Sequence, residues 1–123
     1  GLVINPDGLR STIQGNLLHG LSRALYEEVQ FDTEMVTSVD WRTHPTLRHV
    51  DAPETIDIVI VNGDPEPDRP DLPPYGAGEP SHRPVAAAVA NAIYDATGVR
   101  LRRAPFRAER VLAALEAAGV EGT

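Results

Sequence analysis

A series of apolar residues at every fourth position is the feature of this sequence that most restricts its fold. Residues with this spacing share one face of an α-helix, which must then pack against another apolar layer. The series is Leu9, Ile13, Leu17, Leu21, Leu25 and Val29. Asn5 is a suitable N-cap and Pro6 a suitable first helical residue, so the pattern predicts a helix from Pro6 to about Val29.

The rest of the chain alternates between helical and strand-like patterns. Alternating, β-branched segments predict strands, and apolar residues three or four apart predict helices. The predicted strands are 2–4, 35–41, 55–62 and 99–102, and the further helices are 82–97, which Gly98 should end, and 107–118, with Leu112 on its packed face. We therefore predict an α+β fold, a single domain over 1–123 with about three helices packed on a small mixed sheet.

A proline-rich loop, residues 63–77, separates the two halves of the chain and contains five prolines. Proline fixes φ and removes a backbone donor, so this stretch cannot form a regular element. Loops of this length inside a compact domain are usually functional or disordered. The acidic and proline content favours a position on the surface or facing another subunit.

Composition excludes several functions. The chain has no cysteine, so disulfides, zinc–thiolate sites and thiol nucleophiles are impossible. A net charge of −7 argues against binding to a nucleic-acid backbone. No apolar run reaches the roughly 18 residues of a membrane span. These properties lead us to expect a cytoplasmic protein without nucleic-acid or membrane partners.

The chain begins directly with an apolar, strand-like run, GLVIN. Chain termini usually lie at the surface and fray, so a polar lead-in is more common. A trimmed protein would explain this beginning. The alternative that we favour is the tail of a larger protein, cut inside a sheet.

One face of the first predicted helix carries small and polar side chains. Its members are Gly8, Thr12, Gly15, His19 and Ser22. Glycine costs about 1 kcal/mol relative to alanine inside a helix, so some compensating contact is expected. Close packing of another element would supply it, and so would the close approach of a flat ligand.

Glu79 lies in an unusual setting, YGAGEPSHRP, between two glycines and a proline. Gly76 and Gly78 permit backbone angles that other residues avoid, and the helix predicted to follow favours a negative charge at its start. Glu79 therefore either stabilises that helix or presents a carboxylate to a ligand as a base.

Two other patterns carry no function. Gly76-x-Gly78-x-x-Ser81 lacks the third glycine and the preceding strand of a dinucleotide-binding turn. The four histidines show none of the spacings of a zinc site, so we predict no metal ligands from this chain.

Two blocks of the sequence and the segment between them are informative together. The first block is VINPDGLRSTIQGNLLHGLSRALYEEV, the second is PYGAGEPSHRPVAAAVANAIYDATGVRLRRAPF, and TLRHVDAPETIDIVIV lies between them. They resemble the molybdenum hydroxylase family, which includes xanthine dehydrogenases and aldehyde oxidases, and the resemblance extends over essentially residues 1–115. The chain most resembles the C-terminal part of the molybdopterin-binding subunit in the isoquinoline 1-oxidoreductase and nicotinate dehydrogenase group.

The resemblance implies specific site residues. Glu79 matches the glutamate of the family's GxGE motif, which acts as general base during hydroxylation of an aldehyde or N-heterocycle with water as oxygen source. The family's pterin-contacting segment corresponds to Thr12, Gln14 and Gly15, with Gly78 beside the base. Thr12 and Gln14 depart from the Gln and Glu that are common in the family, so a Thr12 contact could require a bridging water.

The resemblance also implies cofactors and partners. The cofactor is molybdenum in molybdopterin, in the cytosine dinucleotide form usual for bacterial relatives. Iron–sulfur clusters belong to a partner subunit, because this chain has no cysteine ligands, and the resemblance implies that FAD is bound by a partner subunit too. The remainder of the molybdopterin subunit is a further partner, and the isolated 123 residues are expected to be inactive. A non-catalytic assembly module that keeps the fold is the alternative, and a small acidic binding domain unrelated to molybdenum is a third.

Overall fold

The computed structural model describes residues 3–61, 73 and 75–120, and within these the chain is mostly helical. Helix α1 spans Pro6–Leu25, α2 spans Gly78–His82, α3 spans Val85–Thr97 and α4 spans Ala108–Ala117. A short 3-10 turn, His49–Asp51, lies in the connection between α1 and α2. Helix α1 is the centre of the arrangement, because both α2 and α3 pack against it.

Helix α1 begins as predicted and ends four residues early. The Asn5 side chain accepts a hydrogen bond from the Gly8 N–H at 2.9 Å, and Pro6 occupies the first turn. The pattern predicts a helix as far as Val29, but it stops at Leu25. Its end is fixed by tertiary bonds, since the Tyr26 carbonyl accepts a bond from Arg107 Nη2 at 2.8 Å.

The predicted helix 82–97 begins three residues later, as α3, and a short helix that the sequence does not predict, α2, precedes it. Pro84 has no N–H to bond to the preceding turn, so α2 ends at His82 and α3 starts at Val85. Helix α3 ends at Gly98, which has a φ of 73° and is the left-handed C-cap that the sequence predicts. The last helix is also predicted correctly, although its Leu112, expected to pack, is exposed.

No strand ladder forms among the described residues, so the predicted small sheet is not confirmed. An isolated antiparallel bridge joins Phe31 and Val36. Residues 35–41 form turns instead of a strand, because the Asp32 and Asp40 carboxylates accept backbone N–H bonds from residues just after them. Neither 55–61 nor 99–102 forms a regular element, and among the described residues no backbone-to-backbone hydrogen bond reaches 55–61. Residues 1, 2 and 62 and most of the loop 63–77 lie outside the described residues.

The core is small and lies at the end of α1. Among the described apolar residues, Ala24, Val85 and Phe106 are buried. The Phe106 N–H donates to the Ala24 carbonyl at 2.7 Å, so the segment before α4 is fastened to the last turn of α1. Leucines of the predicted α1 stripe are only half-buried. The fold thus holds α2, and with it Glu79, against the middle of α1.

Candidate functional site

Glu79 lies in the first turn of α2, where a negative charge is favoured by the helix dipole. Pro80 follows it without penalty, because the first turn of a helix needs no N–H donor at that position. The Glu79 side chain is 87% exposed, and its Oε2 lies 3.2 Å from Nη2 of Arg83, one turn further along. The carboxylate is therefore accessible from solvent, and its one cationic neighbour among the described residues is Arg83.

Gly78 allows α2 to approach α1 closely, and its backbone angles are ordinary. Neither Gly76 nor Gly78 has a positive φ, contrary to the expectation from the sequence. A Cβ at position 78 would lie 3.3 Å from Nδ2 of Asn16, so a side chain would press on α1. Asn16 in turn donates a 2.9 Å bond to the Thr12 carbonyl. Two of the predicted cofactor residues, Thr12 and Gly78, thus lie on either side of Asn16.

Gln14 is separated from the other predicted cofactor residues by the geometry of α1. Successive residues of an α-helix are about 100° apart, so Gln14 projects about 200° from Thr12. Gly15 lies on the same side as Thr12, at an angle of about 60° from it. Thr12 and Gly15 therefore share one side of α1, and Gln14 extends from the opposite side of the helix.

A cleft of about 630 Å³ opens along α1 on the Gly15 side. Gly15, His19 and Ser22 of the small, polar face line it, opposite residues of the segment 41–52. No atom lies within 4 Å of where a Cβ on Gly15 would be. Glu79 does not line this cleft. The small face therefore borders open space at Gly15, whereas Gly20, on the neighbouring face, is in tight contact with Val85 and His82.

Ser22 holds the far wall of the cleft in place. Its buried hydroxyl donates to the Glu27 carboxylate and accepts the Leu47 N–H at 2.9 Å. The second Glu27 oxygen lies 3.9 Å from Nε2 of His44. These contacts tie the segment around Leu47 to α1, so the shape of the cleft depends on a buried polar group that is fully bonded.

Two histidines meet where α2 packs on α1. The rings of His19 and His82 lie 6.2 Å apart, and Arg23 Nη1 lies 3.3 Å from Nε2 of His82. In the part of the chain that the structure describes, no three histidine, aspartate or glutamate side chains are grouped to hold a metal ion. The pair therefore contributes to packing between the two helices.

An arginine cluster surrounds Glu28 beyond the end of α1. Arg110 Nη2 lies 2.6 Å from Glu28 Oε2, and Arg103 Nη2 lies 3.6 Å from Oε1. The hydrogen bond from Arg110 holds the pKa of Glu28 below its ordinary value, partial burial opposes this shift, and the charges of Arg110, Arg107 and Arg103 reinforce it. This cluster attaches the C-terminal segment to α1.

Sequence reasoning assigns no role to several of these residues. Arg83 could have been identified as a partner of Glu79 from its i,i+4 spacing. No local pattern marks Asn16, because its contact with Gly78 depends on how α2 docks. Glu28 and Arg110 are 82 residues apart, and no local pattern connects them either.

Comparison with known proteins shows which proteins this chain resembles. No family model matches the chain. Over 97% of its length it is 43% identical to a nicotinate dehydrogenase subunit of Pseudomonas putida. It is 33% identical over 91% of its length to the aldehyde oxidoreductase molybdenum-binding subunit PaoC of Escherichia coli. A membrane-bound aldehyde dehydrogenase of Gluconacetobacter polyoxogenes, named for pyrroloquinoline-quinone, is 37% identical over 94% of the chain.

These relatives are oxidoreductases or their subunits, so the resemblance to the molybdenum hydroxylase family is confirmed. The more particular resemblance, to nicotinate dehydrogenase and isoquinoline 1-oxidoreductase, is confirmed as well, because relatives with both names match. The chain spans only 9%, 14% and 15% of the length of the relatives from P. putida, G. polyoxogenes and E. coli. It corresponds to a small segment of proteins that are much longer. No helix among the described residues is long and apolar enough to cross a membrane.

Proposed function

We propose that this chain is the C-terminal part of a molybdopterin-dependent oxidoreductase subunit that hydroxylates an aldehyde or an N-heterocycle with water as oxygen source. The observation that carries the proposal is the position of Glu79. Its GAGEP motif forms the start of α2, which Gly78 and Asn16 hold against α1 beside Thr12. The chain resembles molybdenum hydroxylases over both segments that form this junction.

The described residues fit one side of a large cofactor. The space beside Gly15 is open, and Thr12 offers a hydroxyl on the same side of α1. Gly78 presents backbone without a side chain at the same junction. When bound, the molybdenum cofactor would supply the redox chemistry and activate the oxygen of water. Thr12, Gly15 and Gly78 would contact it from this side, and Gln14, which projects from the opposite side of α1, is left out of these contacts.

Glu79 would act as the general base. An ionised carboxylate accepts a proton only if it can reach the attacking oxygen, and Glu79 is exposed enough to be reached. Its contact with Arg83 is a surface ion pair, which is weak in water and can be exchanged for a contact in the assembled enzyme. Docking of the remaining subunit over α2 would exclude water from the carboxylate.

We propose that the chain contributes to an active site that is complete only with partners. They are the remainder of the molybdopterin subunit, an iron–sulfur subunit and an FAD subunit, in the cytoplasm. The cofactor would be the cytosine dinucleotide form of molybdopterin. The isolated chain is expected to show no turnover of aldehydes or N-heterocycles.

A non-catalytic assembly module is the second candidate. It is favoured by the Glu79–Arg83 contact, which engages the carboxylate within α2, and by Thr12 and Gln14, which differ from the common family residues. Co-expression with the other subunits separates the two functions. If the chain is part of an enzyme, the complex should contain molybdenum and turn over substrate. If the chain is an assembly module, the complex should be stable but show no turnover.

The decisive variant is Glu79→Gln in the assembled enzyme. Glutamine keeps the size of the side chain but cannot accept the proton, so kcat should fall by about 10²–10⁴-fold while molybdenum content stays unchanged. Glu116→Gln, which removes an exposed carboxylate on α4, is the matched control and should leave kcat unaltered. A Glu79→Gln enzyme with near-normal kcat would refute the assignment.

A further inference from the structure

Asn16 lies on α1 at the point where α2 packs against it, and its amide has a defined orientation. Nδ2 donates a 2.9 Å bond to the Thr12 carbonyl, one turn earlier. Because a carbonyl oxygen can only accept, this bond turns the nitrogen of the amide toward Thr12 and the oxygen, Oδ1, away from it. The side chain is half-buried, so its neighbours restrict its rotation further.

Part of this amide is available to another molecule. An asparagine amide has two N–H donors and one acceptor oxygen, and the Thr12 carbonyl takes one of the donors. Among the described residues, no other hydrogen bond involves the Asn16 side chain, and no buried side-chain oxygen or nitrogen lacks a partner. Oδ1 is therefore accessible from outside the helix pair, and it can accept a bond from a molecule that docks there.

Gly78 leaves the Asn16 amide uncovered on the side of α2. A Cβ at position 78 would lie 3.3 Å from Nδ2 and 3.8 Å from Oδ1, so a side chain there would cover both ends of the amide. Glycine keeps this space free while α2 still packs on α1. The junction that carries Glu79 thus has a half-buried, partly unbonded amide at its base.

Asn16 also lies on the side of α1 that we assign to the cofactor. In an α-helix, residue 16 projects about 40° from residue 12, and residue 15 projects about 60° from it in the other direction. Thr12, Gly15 and Asn16 therefore lie within an arc of about 100°. Thr12 ends in a short hydroxyl, whereas Asn16 has a longer side chain that still offers a donor and an acceptor.

We propose that Asn16 binds the heterocyclic edge of the pterin through the free groups of its amide. This inference rests on the proposed function, which assigns molybdopterin to this side of α1. An asparagine amide can donate to and accept from the edge of a flat heterocycle, as it does with the bases of nucleic acids. Gly15 and Gly78, which have no side chains, would let the ring reach the amide. Asn16 would then hold the cofactor without taking part in proton transfer.

Two substitutions at position 16 separate binding from packing. The probe is the assembled enzyme that contains this chain, loaded with molybdopterin. The measurement is the rate of cofactor release in mild urea, followed by molybdenum content and by fluorescence of the oxidised pterin. Asn16→Leu keeps the size of the side chain without its polar atoms, and Asn16→Ala removes most of it, while both new residues favour helix. Both variants should release the cofactor about tenfold faster, because a hydrogen bond to it is lost. A natural release rate in Asn16→Leu would show that the side chain only packs, and would overturn the inference.

A glutamine at position 12 provides the rescue. Thr12→Gln presents an amide from one turn earlier on the same side of α1. In the Asn16→Ala background it should bring the release rate back close to the natural value, whereas a packing defect between α1 and α2 would persist. Failure of this rescue would contradict the proposed contact. Asn91→Ala, which removes an exposed amide from α3, is the matched control and should leave the release rate unaltered.

The two proposals fail in different ways. Natural release rates in both position-16 variants, together with loss of turnover in Glu79→Gln, refute the role of Asn16 and support the catalytic proposal. Faster release in the position-16 variants, together with near-normal kcat in Glu79→Gln, supports the role of Asn16 and refutes the assignment of Glu79. An assembled enzyme that holds no molybdopterin would refute both.

Discussion

The glycines of α1 show how similar residues in one helix serve different purposes. A Cβ on Gly20 would lie 2.8 Å from Cγ2 of Val85, where α3 begins, so only glycine allows this contact. Gly15, five residues earlier, faces open space at the cleft. Sequence reasoning leaves close packing and ligand approach as alternatives for the small face of α1. In the structure, close packing occurs at Gly20, which lies outside this small face. Gly15, within the face, has the open space that the approach of a ligand would need.

Alanine substitutions at these two glycines should have different effects on stability. Gly15→Ala should raise the free energy of unfolding by about 1 kcal/mol, because alanine favours helix and meets no neighbour. Gly20→Ala gains the same propensity but forces Val85 away, and overpacking costs about 1–3 kcal/mol, so it should be neutral or destabilising. Urea unfolding of both variants measures the difference. A Gly20→Ala protein as stable as Gly15→Ala would contradict the close contact.

Gly15→Ala is also informative in the assembled enzyme. If the cofactor approaches α1 at Gly15, the added methyl group should lower molybdenum content although the chain itself is more stable. Unchanged molybdenum content in Gly15→Ala would remove Gly15 from the proposed cofactor contacts.

At the level of elements, the end of α1 is set by the C-terminal segment of the chain. Arg107 bonds the Tyr26 carbonyl, Phe106 bonds the Ala24 carbonyl, and Arg110 pairs with Glu28. The helical periodicity continues to Val29, but these contacts occupy the backbone and side chains that a longer helix would need. The local pattern therefore overestimates the length of α1. The groups that compete with the helix come from distant parts of the chain, and Arg110 is 82 residues from Glu28.

The Glu28 cluster predicts a pH-dependent contribution to stability. Arg110 lowers the pKa of Glu28 in the folded chain, so its stabilisation is fully present above the unfolded pKa and is lost as pH falls through the lowered folded pKa. Glu28→Gln should therefore lower the melting temperature at neutral pH, and its difference from the natural chain should shrink in acid. Thermal unfolding from neutral pH to about pH 3 measures this, with the exposed Glu116→Gln as control. A difference independent of pH would contradict the ion pair.

Local signals predict the helices well and the strands poorly. The Asn5 cap, Pro6 and the Gly98 C-cap act within one turn, so sequence alone identifies them. A strand needs a partner edge, and the segment 55–61 has the composition and alternating exposure of a strand but no strand partner among the described residues. The position of Glu79 on a short helix is also predictable only in part, because its contact through Gly78 with Asn16 depends on tertiary packing.

At the level of the whole molecule, exposed apolar side chains outnumber buried ones among the described residues. The core contains few side chains, whereas the segment between α1 and the 3-10 turn presents a group of exposed apolar residues. They are Phe31, Met35, Val36, Val39 and Trp41. Exposed apolar groups of this kind mark interaction surfaces in soluble proteins. They agree with a chain that completes its packing only against the rest of a longer subunit.

Trp41 reports on this packing directly, because it is the only tryptophan in the chain and is 84% exposed. In the isolated chain its fluorescence should resemble that of tryptophan in water and be readily quenched by acrylamide. Assembly with the remainder of the molybdopterin subunit should shift the emission to shorter wavelength and reduce quenching severalfold, because the apolar patch becomes buried. The Trp41→Phe chain is the control that separates this signal from tryptophans of the partner. Emission at short wavelength in the isolated chain would show that the patch packs within the chain itself, and no change in the complex would show that the partner binds elsewhere.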